Sequence, residues 1–268
     1  MCAAIKGDVG LYLSGNQVLV EKCGIFITPP SIKQICAVGE EAFLTASQLL
    51  GRSSTFFDKI RVADQNLKDY NDLQILLVLL NEQEELKKEI EEFFLLICPN
   101  YKIDIDRSSI KFLDQENQED IRGMLNPFNF EYFQDVIREL FSPPMQQEQD
   151  FNPANEAARK IAEKIKKARE RSNRQAVQKQ NISLFGTYVS ILAVGMEMDM
   201  NILFSYTPFQ LFDTFTRYWL KVKSDFYQRI STTPMMDTSK IDPPDEWTKN
   251  LYDGNSAEAD GVFSSADL

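Results

Sequence analysis

The sequence predicts an α+β fold that is predominantly α-helical, with short N-terminal strands, one β-hairpin and a helical C-terminal part. Three patterns lead to this prediction. Apolar residues recur at helical spacing over residues 69–99 and again over 207–230. Residues 101–113 alternate apolar and polar side chains, which is typical of a half-exposed hairpin. Near the start, brief apolar runs alternate with turn-forming residues, which favours short strands.

The composition is that of a folded globular protein. The chain has 268 residues, of which 43% are hydrophobic and 11% aromatic, so burial of apolar surface can offset the loss of chain entropy. Its formal net charge is -11. We therefore expect a folded, acidic protein.

The N-terminal elements follow from turn and cap signals. LYL and QVLV lie on either side of Ser14-Gly15-Asn16, and GIFIT precedes two prolines, so we predict three short strands. Ser31 and Gln34 have the spacing of a capping box and predict the start of a helix. Gly51 is a plausible end for that helix.

The middle of the chain predicts two helices, a hairpin and a third helix. DLQILLVLL begins the first helical stretch. The second stretch carries apolar residues at helical spacing: Leu86, Ile90, Phe93, Phe94 and Ile97. In the hairpin, Tyr101, Ile103 and Ile105 alternate with polar residues before Arg107-Ser108-Ser109 and IKFL. A further helix is predicted over roughly 130–141.

The segment SPPMQQEQDFNP is rich in proline and glutamine and lacks apolar periodicity, which favours a domain boundary. We therefore predict a mixed helix and strand domain over 1–145 and a helical domain over 151–252. Residues 253–268 are small, polar and acidic, and we predict that they form a disordered tail.

The residue content points away from catalysis. The chain has no histidine, which removes histidine bases and imidazole metal ligands, and it has no recognisable phosphate-binding glycine loop. The four cysteines lack metal-site spacing and are predicted to be buried thiols: Cys2, Cys23, Cys36 and Cys98. We predict no metal site, and an enzyme would need carboxylates, lysines or tyrosines alone.

The N-terminal sequence MCAAIKGDVG lacks the pattern of a secretory signal. The most apolar run, over 182–196, falls short of the roughly 20 residues that a membrane span needs. We expect a cytoplasmic protein with no membrane partner.

A basic helix is predicted near residues 153–179, with Asn152 as its cap and Pro153 in its first turn. Its positive residues include Lys164, Lys166, Lys167 and Arg171. Three interpretations remain open: a solvated face that balances the acidic body, a docking site for an acidic or amphipathic partner, or a nucleic-acid-binding surface. Nucleic acid is disfavoured because the rest of the chain is strongly acidic and no aromatic residue interleaves the positive ones.

The last predicted helix has Thr207 as its cap, Pro208 in its first turn and Gln210 at the third position. An apolar stripe follows at helical spacing and consists of Phe212, Phe215, Trp219, Val222 and Phe226. Such a stripe usually packs in a core, although its width leaves room for a partner.

Several segments, in this order, resemble tail assembly chaperones of tailed phages and prophages of Gram-positive bacteria. They are TPPSIKQICAVGEEAF, NPFNFEYFQDVIREL, the basic segment NPANEAARKIAEKIKKARERSNRQ, YTPFQLFDTFTRYWLKVKSDFYQRI and DPPDEWTKNLYD. The resemblance implies a host-cytoplasmic protein that is not an enzyme and carries no cofactor. Such a protein binds the long tape measure protein, keeps it soluble during tail assembly and is absent from the mature virion.

The candidate partner-binding residues are inferred from the charge and apolar patterns of the chain and not from the resemblance. They are Lys164, Lys166, Lys167 and Arg171 of the basic helix, with Phe212, Phe215, Trp219 and Phe226 of the stripe. Homo-oligomerisation stays open. The alternative functions are a structural tail or neck component of the virion and a nucleic-acid-binding regulator that acts through the basic helix 153–179.

Overall fold

The computed structural model describes residues 9–52, 54–106, 108–117, 119–142, 183–233, 243–244, 246–248 and 251–252. The fold is α+β and mostly helical, as predicted. The α-helices in the described part are α1 Val9–Ser14, α2 Ile32–Val38, α3 Glu40–Leu50, α4 Ser54–Ala63, α5 Asp72–Glu82, α6 Glu84–Ile97, α7 Phe130–Phe141, α8 Leu184–Met196, α9 Met200–Phe204 and α10 Pro208–Ser231. The strands are β1 Val18–Val20, β2 Ile25–Ile27, β3 Tyr101–Ile105, β4 Ile110–Asp114 and β5 Ile121–Leu125.

The chain divides into two compact units. The mixed unit comprises Ile5–Pro143 and Met198–Phe212, and the helical unit comprises Met1–Ala4, Pro144–Glu197 and Asp213–Leu268. The predicted boundary near 142–152, apart from Ser142, lies outside the described residues, as do the basic segment and residues 253–268. The division into domains over 1–145 and 151–252 therefore stays a prediction.

The prediction of a strand at LYL was wrong, because these residues belong to helix α1. The helical conformation turns Tyr12 inward, where its ring packs edge-on against Phe209 at 5.3 Å between centroids. The Tyr12 hydroxyl donates a hydrogen bond to Glu139 at 3.1 Å. These tertiary contacts outweigh the weak strand preference of so short a run.

The strands β1 and β2 pair with each other around a short 3₁₀ turn, Glu21–Cys23. Gly24 adopts a left-handed conformation, with φ at 69°, and closes that turn. Two of the three predicted strands, QVLV and GIFIT, are therefore confirmed as β1 and β2.

The capping box at Ser31 and Gln34 is confirmed, since each residue's side chain accepts from the other's backbone N–H. The chain does not continue to Gly51 as one helix, however. Gly39, at φ 133°, separates α2 from α3. This conformation is rarely open to residues with a β-carbon, so glycine permits the break.

The core of the mixed unit is built from phenylalanine rings. Phe43 of α3, Phe93 of α6 and Phe141 of α7 contact one another with centroid distances of 5.1 to 5.8 Å. Phe94, on the next position of α6, packs against Phe112 of β4 at 5.5 Å. Helix α6 therefore joins the helical layer to the sheet.

The predicted hairpin at 101–113 is confirmed as β3 and β4, and β5 extends it to a three-stranded antiparallel sheet in the order β3-β4-β5. Strand β5 was not predicted from the sequence. Its Gly123 lies against β2, where a β-carbon would meet the Ile25 side chain and would lie 2.5 Å from the Cys23 carbonyl oxygen. Only glycine allows this close approach.

The described residues of the helical unit come mainly from α8 and from α10 beyond Phe212. In α8, Phe185, Val189 and Leu192 recur at helical spacing and are buried. Among the described residues, no helix has the length and apolar character needed to cross a membrane.

Candidate docking surface

Helix α10 begins at the capping box that the sequence predicts. The Thr207 backbone N–H donates to the Gln210 side chain at 2.8 Å, and the Gln210 backbone N–H donates to the Thr207 hydroxyl at 3.4 Å. Pro208 occupies the first helical position, where its missing N–H costs nothing. These local bonds set where the helix starts and which side chains share a face.

One turn further on, Asp213 and Arg217 form an ion pair at i,i+4 spacing. The Arg217 Nε donates to both carboxylate oxygens of Asp213, at 3.2 and 3.1 Å. The Tyr252 hydroxyl donates to the same carboxylate, and Arg217 Nη1 donates to the carbonyl oxygen of Trp247 at 3.3 Å. Trp247 and Tyr252 are therefore held against this turn of α10.

The first part of α10 within the helical unit is packed. Phe215 is 3% exposed and contacts Tyr188 of α8 edge-on, at 4.4 Å between ring centroids. Tyr218 lies where a β-carbon on Gly195 of α8 would be, so the glycine lets the two helices meet closely. Leu220 is also buried.

The second part of α10 is uncovered. From residue 221 to residue 233 the structure describes every residue, and none of them is buried. Phe226 is 64% exposed and Val222 is 37% exposed, while Ile230 is half-buried. We call Val222, Phe226 and Ile230 the open stripe, because their i,i+4 spacing places them on one helix face.

Two positive residues flank the open stripe. At about 100° per residue, Lys223 lies beside Ile230 on one margin and Arg229 lies beside Val222 on the other. The Lys223 ammonium also lies over the Trp219 ring, 5.8 Å from its centroid. Lys221 projects from the opposite face. The surface thus combines an apolar centre with a positive margin at Lys223 and a mixed margin, where Arg229 follows the exposed Asp225 by one turn.

The structure separates the predicted stripe into two parts. Phe212 and Phe215 are 4% and 3% exposed and contribute to packing, Trp219 is half-buried, and Phe226 is accessible. Lys164, Lys166, Lys167 and Arg171 lie outside the described residues. The assignment of these eight residues to partner binding stays a prediction.

Two functional features of α10 were not predicted from the sequence. The first is the contact of Asp213 and Arg217 with the segment that ends at Tyr252; only their i,i+4 spacing could have indicated the ion pair. The second is the pair of margins at Lys223 and Arg229. Helical spacing alone would have identified them if the stripe had been extended to Ile230.

The chemistry of the described side chains offers little else. No group of three or more acidic or cysteine side chains in the described part could hold a metal ion. A shallow groove of about 460 Å³ on α5 is lined by Tyr70, Gln74, Leu77, Val78 and Asn81. None of these side chains is a strong acid, base or nucleophile at neutral pH.

The cysteines differ from the prediction in one case. Cys23 and Cys98 are buried free thiols, as expected, and burial raises the pKa of Cys23 to about 12 and that of Cys98 above its ordinary range. Cys36 is exposed on α2, which corrects the prediction that it is buried. Its pKa is also raised, chiefly by partial burial and then by Glu40. Cys2 lies outside the described residues.

Comparison of the chain with protein-family models, with curated proteins and with solved structures gives no match.

Proposed function

We propose that the protein is a non-catalytic phage tail assembly chaperone that binds a tape measure protein and keeps it soluble during tail assembly. The ordered segment resemblance motivates the proposal. The structural observation that supports it is the open stripe of Val222, Phe226 and Ile230, because a holding chaperone needs accessible apolar surface on which a helical client can lie.

The geometry of the stripe suits an amphipathic client helix. An apolar row at i,i+4 spacing accepts the apolar row of a second helix, and the margins at Lys223 and Arg229 favour clients with acidic flanks. On this proposal the protein acts in the host cytoplasm and is absent from the finished particle.

The direct test is co-expression of the tagged protein with the products of its neighbouring genes, followed by pull-down. We expect capture of a long helical protein that stays soluble only in the presence of this chain. The double variant Val222→Asp with Phe226→Asp should lose capture, since burying two carboxylates costs more than the contact returns. The matched control, Lys221→Glu on the opposite face of the same helix, should retain it. Equal capture by both variants would remove α10 from the proposed binding site.

A second surface can be tested in the same assay. If the basic segment also docks the client, reversal of Lys164, Lys166, Lys167 and Arg171 to glutamate should slow association and reduce its salt dependence. If the segment only balances the acidic body, the same variant should melt at a lower temperature and capture the client normally.

The two alternative functions predict different observations. A structural tail or neck component should be found in purified particles at stoichiometric amount, which mass spectrometry measures. A nucleic-acid-binding regulator should bind DNA or RNA with an affinity that falls steeply with salt. Absence from particles together with no binding at low salt would leave the chaperone proposal standing.

A further inference from the structure

We propose that residues 253–268 of the same chain bind the open stripe of α10 and cover it. The proposal concerns the protein without a client and does not depend on the proposed function. It follows from where this segment begins, from its charge and from its apolar content.

The starting point of the segment is set by the contacts of Tyr252. The Tyr252 hydroxyl donates to Asp213, so residue 253 begins close to the first turn of α10 within the helical unit. Thirteen residues of helix separate Asp213 from Phe226, a distance of about 20 Å at 1.5 Å per residue. An extended chain covers that distance in about six residues. The sixteen residues 253–268 are therefore long enough to reach the whole stripe.

The charges of the two surfaces are opposite. Residues 253–268 contain four acidic residues and no basic residue: Asp253, Glu258, Asp260 and Asp267. The margins of the stripe are formed by Lys223 and Arg229. The chain has a net charge of -11, so most of its surface repels an acidic segment. Binding beside Lys223 and Arg229 is therefore favoured over binding elsewhere.

The segment also carries apolar side chains that can pack against the stripe. Val262 and Phe263 follow Glu258 and Asp260 after Gly261, and they are the only adjacent pair of large apolar residues in 253–268. In the segment Glu258 and Asp260 precede the apolar pair, and on α10 Lys223 precedes Phe226. The two orders match when the segment runs along the helix in the same direction as the helix. Burial of Phe226 and Phe263 against each other would stabilise the bound form.

The test is zero-length crosslinking of the purified full chain with a carbodiimide, which joins a carboxylate to an amine only where the two are in contact. Equal amounts of unlabelled and ¹⁵N-labelled protein are mixed before the reaction. We expect Lys223 to be joined to Glu258 or Asp260, with both halves of each crosslinked peptide from the same isotope. Lys221 serves as the internal control, since it projects from the other face.

Three full-chain variants sharpen the result. Lys223→Glu should lose the crosslink, and Lys223→Glu combined with Glu258→Lys and Asp260→Lys should restore it with the polarity reversed. Phe263→Ser should reduce the crosslink yield at Lys223 by roughly two- to five-fold, which is the change in bound population expected from the loss of one exposed contact. Lys223 is half-buried and the other changed residues lie outside the described part of the chain, and thermal melting checks that the fold is retained.

The proposal is overturned by equal crosslinking at Lys221 and Lys223, or by no crosslink at either. Peptides of mixed isotope would show that the segment of a second copy occupies the stripe, which also overturns the same-chain proposal. Because no client is present, these outcomes are independent of the pull-down. If both proposals hold, Phe263→Ser should increase client capture, since the client then competes with a weaker occupant.

Discussion

Helix α6 and the second half of α10 carry the same kind of apolar row, and they differ in what covers it. In α6, Ile90, Phe94 and Ile97 are fully buried. In α10, the open stripe has similar spacing, yet Phe226 is mostly exposed. Spacing along a helix decides which side chains share a face, whereas their burial depends on whether other elements of the chain reach that face.

The covering of α6 comes from distant parts of the chain. Phe43 of α3, Phe112 of β4 and Phe133 of α7 all contact its Phe93 or Phe94. The described residues that pack on α10 in the helical unit contact it before residue 221. The uncovered half of α10 is the feature that sets it apart as a surface for another segment or another protein.

The largest expected effect comes from breaking the covered side of this comparison. Phe94→Ala removes a fully buried ring that contacts both Phe112 and Phe133, and we expect it to lower the free energy of unfolding by about 3–5 kcal/mol. Equilibrium unfolding in urea measures the change. A loss below about 1 kcal/mol would mean that the α6 row is not held by the sheet and α7 as the structure shows.

A second test compares neighbours in the turn before α7. The buried Asn129 side chain donates to the carbonyl oxygens of Lys22 and Met124, at 3.0 and 2.8 Å, and accepts from the Asn126 N–H at 2.8 Å. Asn129→Ala leaves these groups without that partner, and we expect a loss of about 2–3 kcal/mol. The adjacent Phe128 is 96% exposed and provides the control.

Phe128→Ala should change the free energy of unfolding by less than about 0.5 kcal/mol, although it removes the larger side chain. Both variants are measured by the same urea titration. If Phe128→Ala destabilised the protein as much as Asn129→Ala does, burial of the side chain would not be the property that determines the loss of stability.

These comparisons show what could be predicted from the sequence. Periodicity was sufficient for α5, α6, α7 and the hairpin at 101–113, because each has a row of apolar residues long enough to specify one period. Cap chemistry at Ser31 and Thr207 correctly placed two helix starts, since those bonds join residues three apart.

The failures have a common cause in contacts between residues far apart in sequence. The local pattern of the run at Leu11 favours a strand. Its helical state depends on distant contacts of Tyr12 with Phe209 and Glu139, which the local pattern does not show. Strand β5 was missed because Gly123 weakens its strand pattern and is needed only for packing against Ile25. For the candidate site, the sequence predicted the face of α10 but not which half of that face is open.

A smaller effect is expected at the turn between β3 and β4, which is neither fully covered nor fully open. The Asp106 carboxylate lies 2.7 Å from the Lys111 ammonium and accepts the backbone N–H groups of Ser108 and Ser109 at 2.7 and 2.8 Å. The pairing with Lys111 is the main cause that holds the pKa of Asp106 well below its usual range, and the two N–H groups add to it.

Because the pKa of Asp106 is lower in the folded state, its contribution is present above the unfolded value of about 3.9 and is lost as the pH falls below it. Asp106→Asn should therefore be less stable than the parent at pH 7, and the difference should shrink below about pH 4. Urea midpoints of the two proteins between about pH 2 and pH 7 measure the trend. A difference that grows on acidification would contradict the assigned role of Lys111.

The smallest expected effect on stability is at Phe226, the open counterpart of Phe94. Phe226→Ala removes a ring that is 64% exposed, from a stretch of α10 in which no residue is buried, and alanine favours the helix more than phenylalanine does. We expect the free energy of unfolding to fall by about 1 kcal/mol or less in the same urea assay that reports a loss of several for Phe94→Ala, because the terminal segment proposed to cover the ring is held only weakly. The same chemical change on two helices would then differ only in what covers the ring. A loss above about 1.5 kcal/mol would show that the terminal segment covers Phe226 more tightly than one exposed contact does. In that case Phe226→Ala and Phe263→Ser should each destabilise the protein, and the double variant should lose less than their sum, because the two rings would share one contact.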